Sequence, residues 1–299
     1  MNRIVERVHI SIFSALYSFR RNNSIQWYTD TIQHVLKEID DLVQYLFKEV
    51  TNNQELQVYD TTKLYGETGN FRVLQFANAA IQGAMDLNDP QRILFEYPRA
   101  IIHLMECNNP SFEDVFMIGH GIGSIAGHYL DKRFKIAELD DQVVELSRKY
   151  FGYSEDNVII GDGRNTLKGE QPQTYDYIII DAFNEKGTPQ HLISKEFFTL
   201  TKEKLHPHGS IILNLMGKGN NDRLMNAIHT TLCEEYDYIQ SFQLPSESVS
   251  DVKNIIIMGC NSPILFQAQH MAGFIRLELG QGHIIRDSKH SALVPDIQT

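Results

Sequence analysis

Four apolar runs in this chain each stop at a residue that can do chemistry. VFMIGHGIG (Val115 to Gly123) ends in a glycine loop, and FKIAELD (Phe134 to Asp140) reaches Glu138. VIIGDGR (Val158 to Arg164) carries Asp162, and YDYIIIDAF (Tyr175 to Phe183) carries Asp181. Glycines between a strand and a helix let the backbone approach a ligand closely, and the helix start offers free N–H groups. A carboxylate at the next strand end can accept two hydrogen bonds from a ribose diol. Asp162, between Gly161 and Gly163, could accept from the amino group of a base; it also suits the turn that Gly-Asp-Gly makes. Asp181 closes a run of isoleucines, where an ionised carboxylate is costly unless it is solvated, paired or used. In a crevice it could orient a nucleophile and take its proton; on a loop it would serve as a cap. No Lys-Ser/Thr follows the glycines, which excludes a nucleoside triphosphate loop.

These four ends meet only if their strands lie side by side and run the same way. The intervening segments supply the helices for that: Ile125 to Asp131, Asp141 to Tyr150 and Ser194 to Leu205, with Asp141 and Ser194 suited to start them. His206-Pro207-His208-Gly209 breaks the chain before the strand SIILNL, and YIQSFQL and NIIIMGC read as a final antiparallel pair. The pattern predicts a doubly wound α/β fold with a mostly parallel sheet over 106–266. Ahead of it, LQVYDT, KLYGE and FRVLQF alternate with turn residues at Gly66 and Gly69-Asn70, which predicts a small β region and linking helix over 56–105, the helix reading from Gln91 to Cys107 and leading into the main domain. Ile32, Val35, Leu36, Ile39, Leu42, Val43, Leu46 and Phe47 recur at helical spacing, so 1–55 is expected to be a helical extension that packs on its own domain or on a partner. The C-terminal segment 267–299 contains FIRLEL and then turns polar, and HIIRDSKHSALVPDIQT is expected to be a loosely held tail.

Composition narrows the class. The chain has 299 residues, 42% hydrophobic and 22% charged, which is ordinary for a soluble globular protein. A net charge of -11 argues against attraction to nucleic acid or an anionic membrane surface and suits cationic substrates. Cys107, Cys233 and Cys260 form no CxxC pair and no zinc pattern, as expected of core thiols in a reduced, cytoplasmic compartment. No metal-ligand cluster is visible. No uncharged run reaches the roughly 18 residues a membrane helix needs, and the start, MNRIVERVHISIFSALYSFRR, is too interrupted by charge to read as a signal peptide.

The order glycine loop, Glu-Leu-Asp, Gly-Asp-Gly, Ile-Ile-Asp resembles the class I S-adenosylmethionine-dependent methyltransferase-like fold, a Rossmann-like arrangement. More narrowly, AELDDQVVELSRKYF, VIIGDGR and IIIDAFNEKGTPQHLISKEFF resemble the spermidine synthase (polyamine aminopropyltransferase) family over roughly residues 57 to 260. The resemblance implies a transferase that moves an aminopropyl group from a sulfonium derived from S-adenosylmethionine to an amine, without a metal. Decarboxylated S-adenosylmethionine is that family's donor, ordinary S-adenosylmethionine the alternative. It implies that Gly119, Gly121 and Gly123 line the thioether, Glu138 holds ribose, and Asp162 with Gly163 meets the adenine. Asp181 would be the catalytic carboxylate, with Gln82, Tyr97 and Asn184 on the acceptor side. Like many of that family, the chain would be a homodimer or larger homo-oligomer.

The departures from that pattern fall on the charged side of the site. Ile122 stands where the family loop has an acidic residue, Asn184 where it has a second Asp, and Tyr97-Pro98-Arg99 where it has Tyr-His-Glu. A polyamine wants carboxylates and aromatic rings around it. Arg99, if it faced the crevice, could bind a carboxylate; otherwise it is a surface helix residue. An S-adenosylmethionine-dependent methyltransferase, or a non-catalytic nucleoside-binding relative, therefore remains an alternative.

Overall fold

The computed structural model describes residues 43–51, 54–76, 81–183, 187–219, 221–245 and 251–288. The chain divides into two compact units, Met1–Leu94 and Phe95–Thr299. No helix among the described residues is long and apolar enough to cross a membrane.

The first unit contains an antiparallel sheet of four strands in sequential order: β1 (Val43–Thr51), β2 (Gln54–Leu64), β3 (Glu67–Phe76) and β4 (Ile81–Asp86). The β2–β3 turn has two central residues, Tyr65 and Gly66, both at positive φ (45° and 85°). That geometry matches the right-handed twist of paired strands, and glycine meets half of its demand without strain. Leu56, Val58, Phe71, Val73 and Leu74 are buried. Asp60 and Arg72 lie directly opposite in the register and form a two-pronged ion pair, Nε to Oδ1 at 2.8 Å and Nη2 to Oδ2 at 3.0 Å.

The helix expected to run through Phe47 is contradicted from Val43 onward, where β1 pairs with β2. The run LVQYLF satisfies a helical and a strand period equally over so short a window, and the neighbouring strand decides it. The rest of the predicted N-terminal helix lies outside the described residues.

The second unit opens with helix α1 (Glu96–Asn108), which buries Ala100, Ile101, Leu104 and Met105. Its sheet has eight strands: β5 (Asp114–Ile118), β6 (Arg133–Glu138), β7 (Val158–Ile160), β8 (Tyr175–Ile180), β9 (Leu205–Gly217), β10 (Tyr238–Gln243), β11 (Lys253–Cys260) and β12 (Ile275–Leu277). Across the sheet they run β7-β6-β5-β8-β9-β11-β10-β12. The first five neighbours are parallel, and β11, β10 and β12 add antiparallel pairs. Successive connections run outward from β5 to β7, then return to the other side of β5 at β8. The strand order thus reverses between β5 and β8, the place where an open α/β sheet leaves a crevice at its carboxyl edge.

The connecting helices are α2 (Ser124–His128), α3 (Asp141–Phe151), α4 (Gly163–Lys168), α5 (Lys195–Lys204) and α6 (Arg223–Leu232). Side chains cap the last four: Asp140, Asp162, Ser194 and Asp222 each accept from a backbone N–H in the first turn. Helix α2 stops three residues short of the expected Asp131, and α6 is an element the hydrophobic pattern did not reveal. The break expected at His206–Gly209 lies inside β9. Residues 206–208 are exposed and skipped in the register with β8, so Pro207 withholds no ladder bond.

The loosely held tail is also corrected as far as residue 288; 289–299 lies outside the described residues. β12 is paired with β10, and 280–287 is tied down at several points. Gly280 N donates to Asn226 Oδ1 (3.0 Å), Gly282 N to Thr230 Oγ1 (2.8 Å) and Ile285 N to Thr231 Oγ1 (2.9 Å), while Lys195 N donates to Ile285 O (2.8 Å). The segment reads as polar because hydrogen bonds to α5 and α6, with the buried Ile285, fasten it in place of a broad apolar face.

Candidate active site

The carboxyl edge is assembled by three backbone ties. Gly119 N donates to Ala137 O (2.9 Å), Asp181 N to Ile118 O (2.8 Å) and Gly161 N to Glu138 O (2.8 Å), so the ends of β5, β6, β7 and β8 are locked to one another. Gly119 has φ 95°, and a side-chain carbon there would lie 2.1 Å from the carbonyl oxygen of Asp181. Only glycine lets the loop leave β5 this close to β8. A side chain at Gly123 would strike the Tyr153 ring at 2.3 Å. Gly121 also takes a positive φ, 55°.

Glu138 turns both oxygens toward backbone donors. His120 N donates to Oε2 (2.8 Å) and Asp140 N to Oε1 (3.0 Å). Burial raises its pKa, and the surrounding N–H groups oppose that. A carboxylate has about four lone-pair sites; the backbone N–H groups of His120, Leu139 and Asp140 engage Glu138, and acceptor capacity remains for an incoming hydroxyl. His120, inside the loop, is buried; its Nε2 meets Ser147 Oγ at 2.7 Å, and that hydroxyl donates onward to Val144 O (2.8 Å). Burial pushes the imidazole down to about 4, so it is neutral and anchors the loop to α3.

Asp181, at the end of β8, is held by two side-chain donors. Asn214 on β9 donates its amide N–H to Oδ1 at 2.8 Å, and Asn254 on β11 donates to Asn214 Oδ1 at 2.9 Å. Tyr97 on α1 donates its phenol to the same carboxylate. Burial pushes Asp181 up to about 6, with the Glu138 charge adding to the effect and the two donors resisting it. The Tyr97 hydroxyl is raised well above its ordinary value by burial and by the carboxylate it serves. Asp181 is thus ionised at neutral pH yet more basic than a free aspartate, which suits a proton acceptor. Asn214 and Asn254 were missed in the sequence. The available signal was an amide inside the apolar strand SIILNL, since a buried amide needs partners.

Asp162 sits at the turn into α4. Oδ1 caps that helix through Asn165 N (2.9 Å), and Oδ2 meets His191 Nε2 (2.9 Å). Hydrogen bonding from His191 is the main reason its pKa is lowered. Gly163 is buried against β5, where a side-chain carbon would lie 2.4 Å from Ile118 Cγ2; its smallness meets a packing need.

Of the acceptor-side residues, Tyr97 joins Asp181. Gln82 stands on β4 of the first unit, and Asn184 lies outside the described residues. Arg99 is an exposed residue of α1 that donates to Phe95 O (3.2 Å) and lies 3.7 Å from Glu96. With Ile102, His103, Glu106, Cys107, Gln267 and His270 it lines a separate shallow groove of about 460 Å³. Two positions beyond Tyr97 on a helix is nearly the opposite side, so Arg99 takes the surface role.

With this edge described, the likeness to known proteins becomes specific. The family model for the spermine/spermidine synthase domain matches residues 94–239. That match spans just under half of the chain and falls almost wholly in the α/β unit. The resemblance read from the motifs is borne out. A polyamine aminopropyltransferase from Vibrio vulnificus (strain CMCP6) is 30% identical over 195 residues, covering 61% of this chain and 64% of that protein. Putrescine N-methyltransferase 2 from Nicotiana tabacum is 33% identical over 128 residues, covering 39% of this chain and 36% of that protein. The chain thus spans less than two thirds of the length of either relative. A "probable spermidine synthase" from Corynebacterium glutamicum has the same fold, with a TM-score of 0.70 and 18% identity, covering 83% of this chain and 99% of that one.

Proposed function

We propose that this protein is a spermidine synthase-like transferase that moves an aminopropyl group from decarboxylated S-adenosylmethionine to an amine acceptor. The observation that carries the reading is the Asp181 carboxylate, fixed by Asn214 and Tyr97 and made more basic by burial. A glycine-lined strand end and a carboxylate with spare acceptor capacity, Glu138, lie on the same sheet edge and fit a nucleoside.

Each residue has a defined task in that chemistry. Glu138 holds the ribose diol through its remaining acceptor capacity. The loop from Gly119 to Gly123 leaves room for the thioether. When bound, the sulfonium supplies an activated carbon and leaves as methylthioadenosine. Asp181 aligns a neutral amine and accepts the proton released from nitrogen as the new carbon–nitrogen bond forms. Asn214 and Tyr97 keep the carboxylate facing the amine throughout. The acidic net charge of -11 suits a cationic small-molecule acceptor, and the reading implies a cytoplasmic homo-oligomer.

A second reading is N-methyl transfer from ordinary S-adenosylmethionine to an amine. The observation that favours it is Ile122, which puts no charge where an aminopropyl ammonium would need one; a putrescine N-methyltransferase is among the relatives. Incubating the protein with each sulfonium donor and a panel of diamines separates the readings. Methylthioadenosine supports aminopropyl transfer, S-adenosylhomocysteine supports methyl transfer, and neither product contradicts both.

A further inference from the structure

Asp162 is not a free carboxylate waiting for a base. One oxygen is spent on the α4 cap, and the other receives His191 Nε2 at 2.9 Å. The lowered pKa of Asp162 keeps it an acceptor, so Nε2 carries the shared hydrogen. His191 is in turn braced from its backbone. Arg164 Nη1 donates to His191 O at 3.0 Å. The same guanidinium grips Asp287 with two bonds, Nη1 to Oδ1 at 2.8 Å and Nη2 to Oδ2 at 2.7 Å. Asp287 is itself held by its N–H to Glu196 Oε2 at 2.9 Å. The final described residues thereby fasten the segment that carries His191 onto the turn that carries Asp162.

We propose that His191 is a positioning residue for base selection, holding the Asp162 carboxylate so that its remaining lone pairs meet an exocyclic amino group. The inference rests on the reading of this edge as a nucleoside site. An amino group at the base edge donates to such a carboxylate. A carbonyl at the same place presents a lone pair to it and is repelled, and a carboxylate that can neither rotate nor protonate has no way to adapt. His191 therefore sharpens selection for adenine over hypoxanthine. Arg164 and Asp287 give the clamp its rigidity.

The test is calorimetric titration of the full chain with 5′-methylthioadenosine and with 5′-methylthioinosine, which differ in the 6-substituent and in the N1 hydrogen that accompanies the 6-oxo form. The wild-type chain is expected to prefer the adenosine at least tenfold. His191→Ala should lose about tenfold affinity for the adenosine and bring the ratio near one. His191→Gln, which keeps an N–H donor in reach of Asp162, should restore most of the preference. Melting curves identify any variant that fails to fold. An unchanged ratio in a folded His191→Ala, or an equal loss for both nucleosides, overturns the role of His191 alone. Failure of the wild-type chain to bind either nucleoside overturns the nucleoside reading and this inference with it.

Discussion

Asn214 donates its amide to Asp181 at 2.8 Å, and this contact joins the proton affinity of the carboxylate to its direction. The donor sits on β9 and the acceptor at the end of β8, in neighbouring parallel strands whose register places Ile180 opposite Leu213. Asn254, from β11, fixes the Asn214 amide by donating to its oxygen at 2.9 Å. Three strands thus contribute to one carboxylate.

Replacing Asp181 with Asn removes the proton acceptor and leaves the shape. Turnover should fall by about 100- to 10,000-fold, the usual worth of a positioned base. Nucleoside affinity should stay within a few fold, because Glu138 and the glycine loop are untouched. Steady-state kinetics with a binding titration check both halves.

The pH profile of turnover should rise through about 6 as Asp181 ionises. Both Asn214 and Tyr97 favour the ionised form, so Asn214→Leu and Tyr97→Phe should each move that limb to higher pH. Stability has the opposite sign. Asp181 binds its proton more tightly in the folded chain (about 6) than at its ordinary 3.8. Its contribution is therefore full below 3.8 and is lost as pH rises through about 6. Asp181→Asn should gain stability relative to the wild-type chain across that window, read as a difference in denaturant midpoint at each pH.

Glu138→Gln keeps an acceptor but loses the charge and one lone-pair edge. Charge-assisted hydrogen bonds contribute about 1.5–3 kcal/mol each, so affinity for methylthioadenosine should drop about 10- to 100-fold. Calorimetry checks it.

Gly119→Ala places a carbon 2.1 Å from Asp181 O at φ 95°. Strain of this kind costs about 1–3 kcal/mol, and relief would push the end of β8 away from β5. Stability and turnover should fall together, in denaturant melts and in kinetics.

The legible parts of this molecule are those with local causes. An apolar run that stops abruptly at Asp181 announces a strand end wherever its neighbours lie, and Ser194 announces a helix start through its own hydroxyl. Asn214 was hidden because its meaning depends on which strand lies beside it. His191 was hidden because its partner is 29 residues earlier in the chain. The tail was misread for the same reason: its hydrogen bonds reach Asn226, Thr230 and Thr231, and nothing in its own composition records them. β1 failed on a different ground, since its apolar run fits either period and only pairing with β2 decides.

The most direct test of the central claim is product analysis after incubating the full chain with decarboxylated S-adenosylmethionine and a diamine, with Asp181→Asn alongside. Methylthioadenosine and an aminopropylated amine should form in equal amounts with the wild-type chain and nearly vanish with the variant. No such product, or undiminished product with Asp181→Asn, would contradict aminopropyl transfer through Asp181.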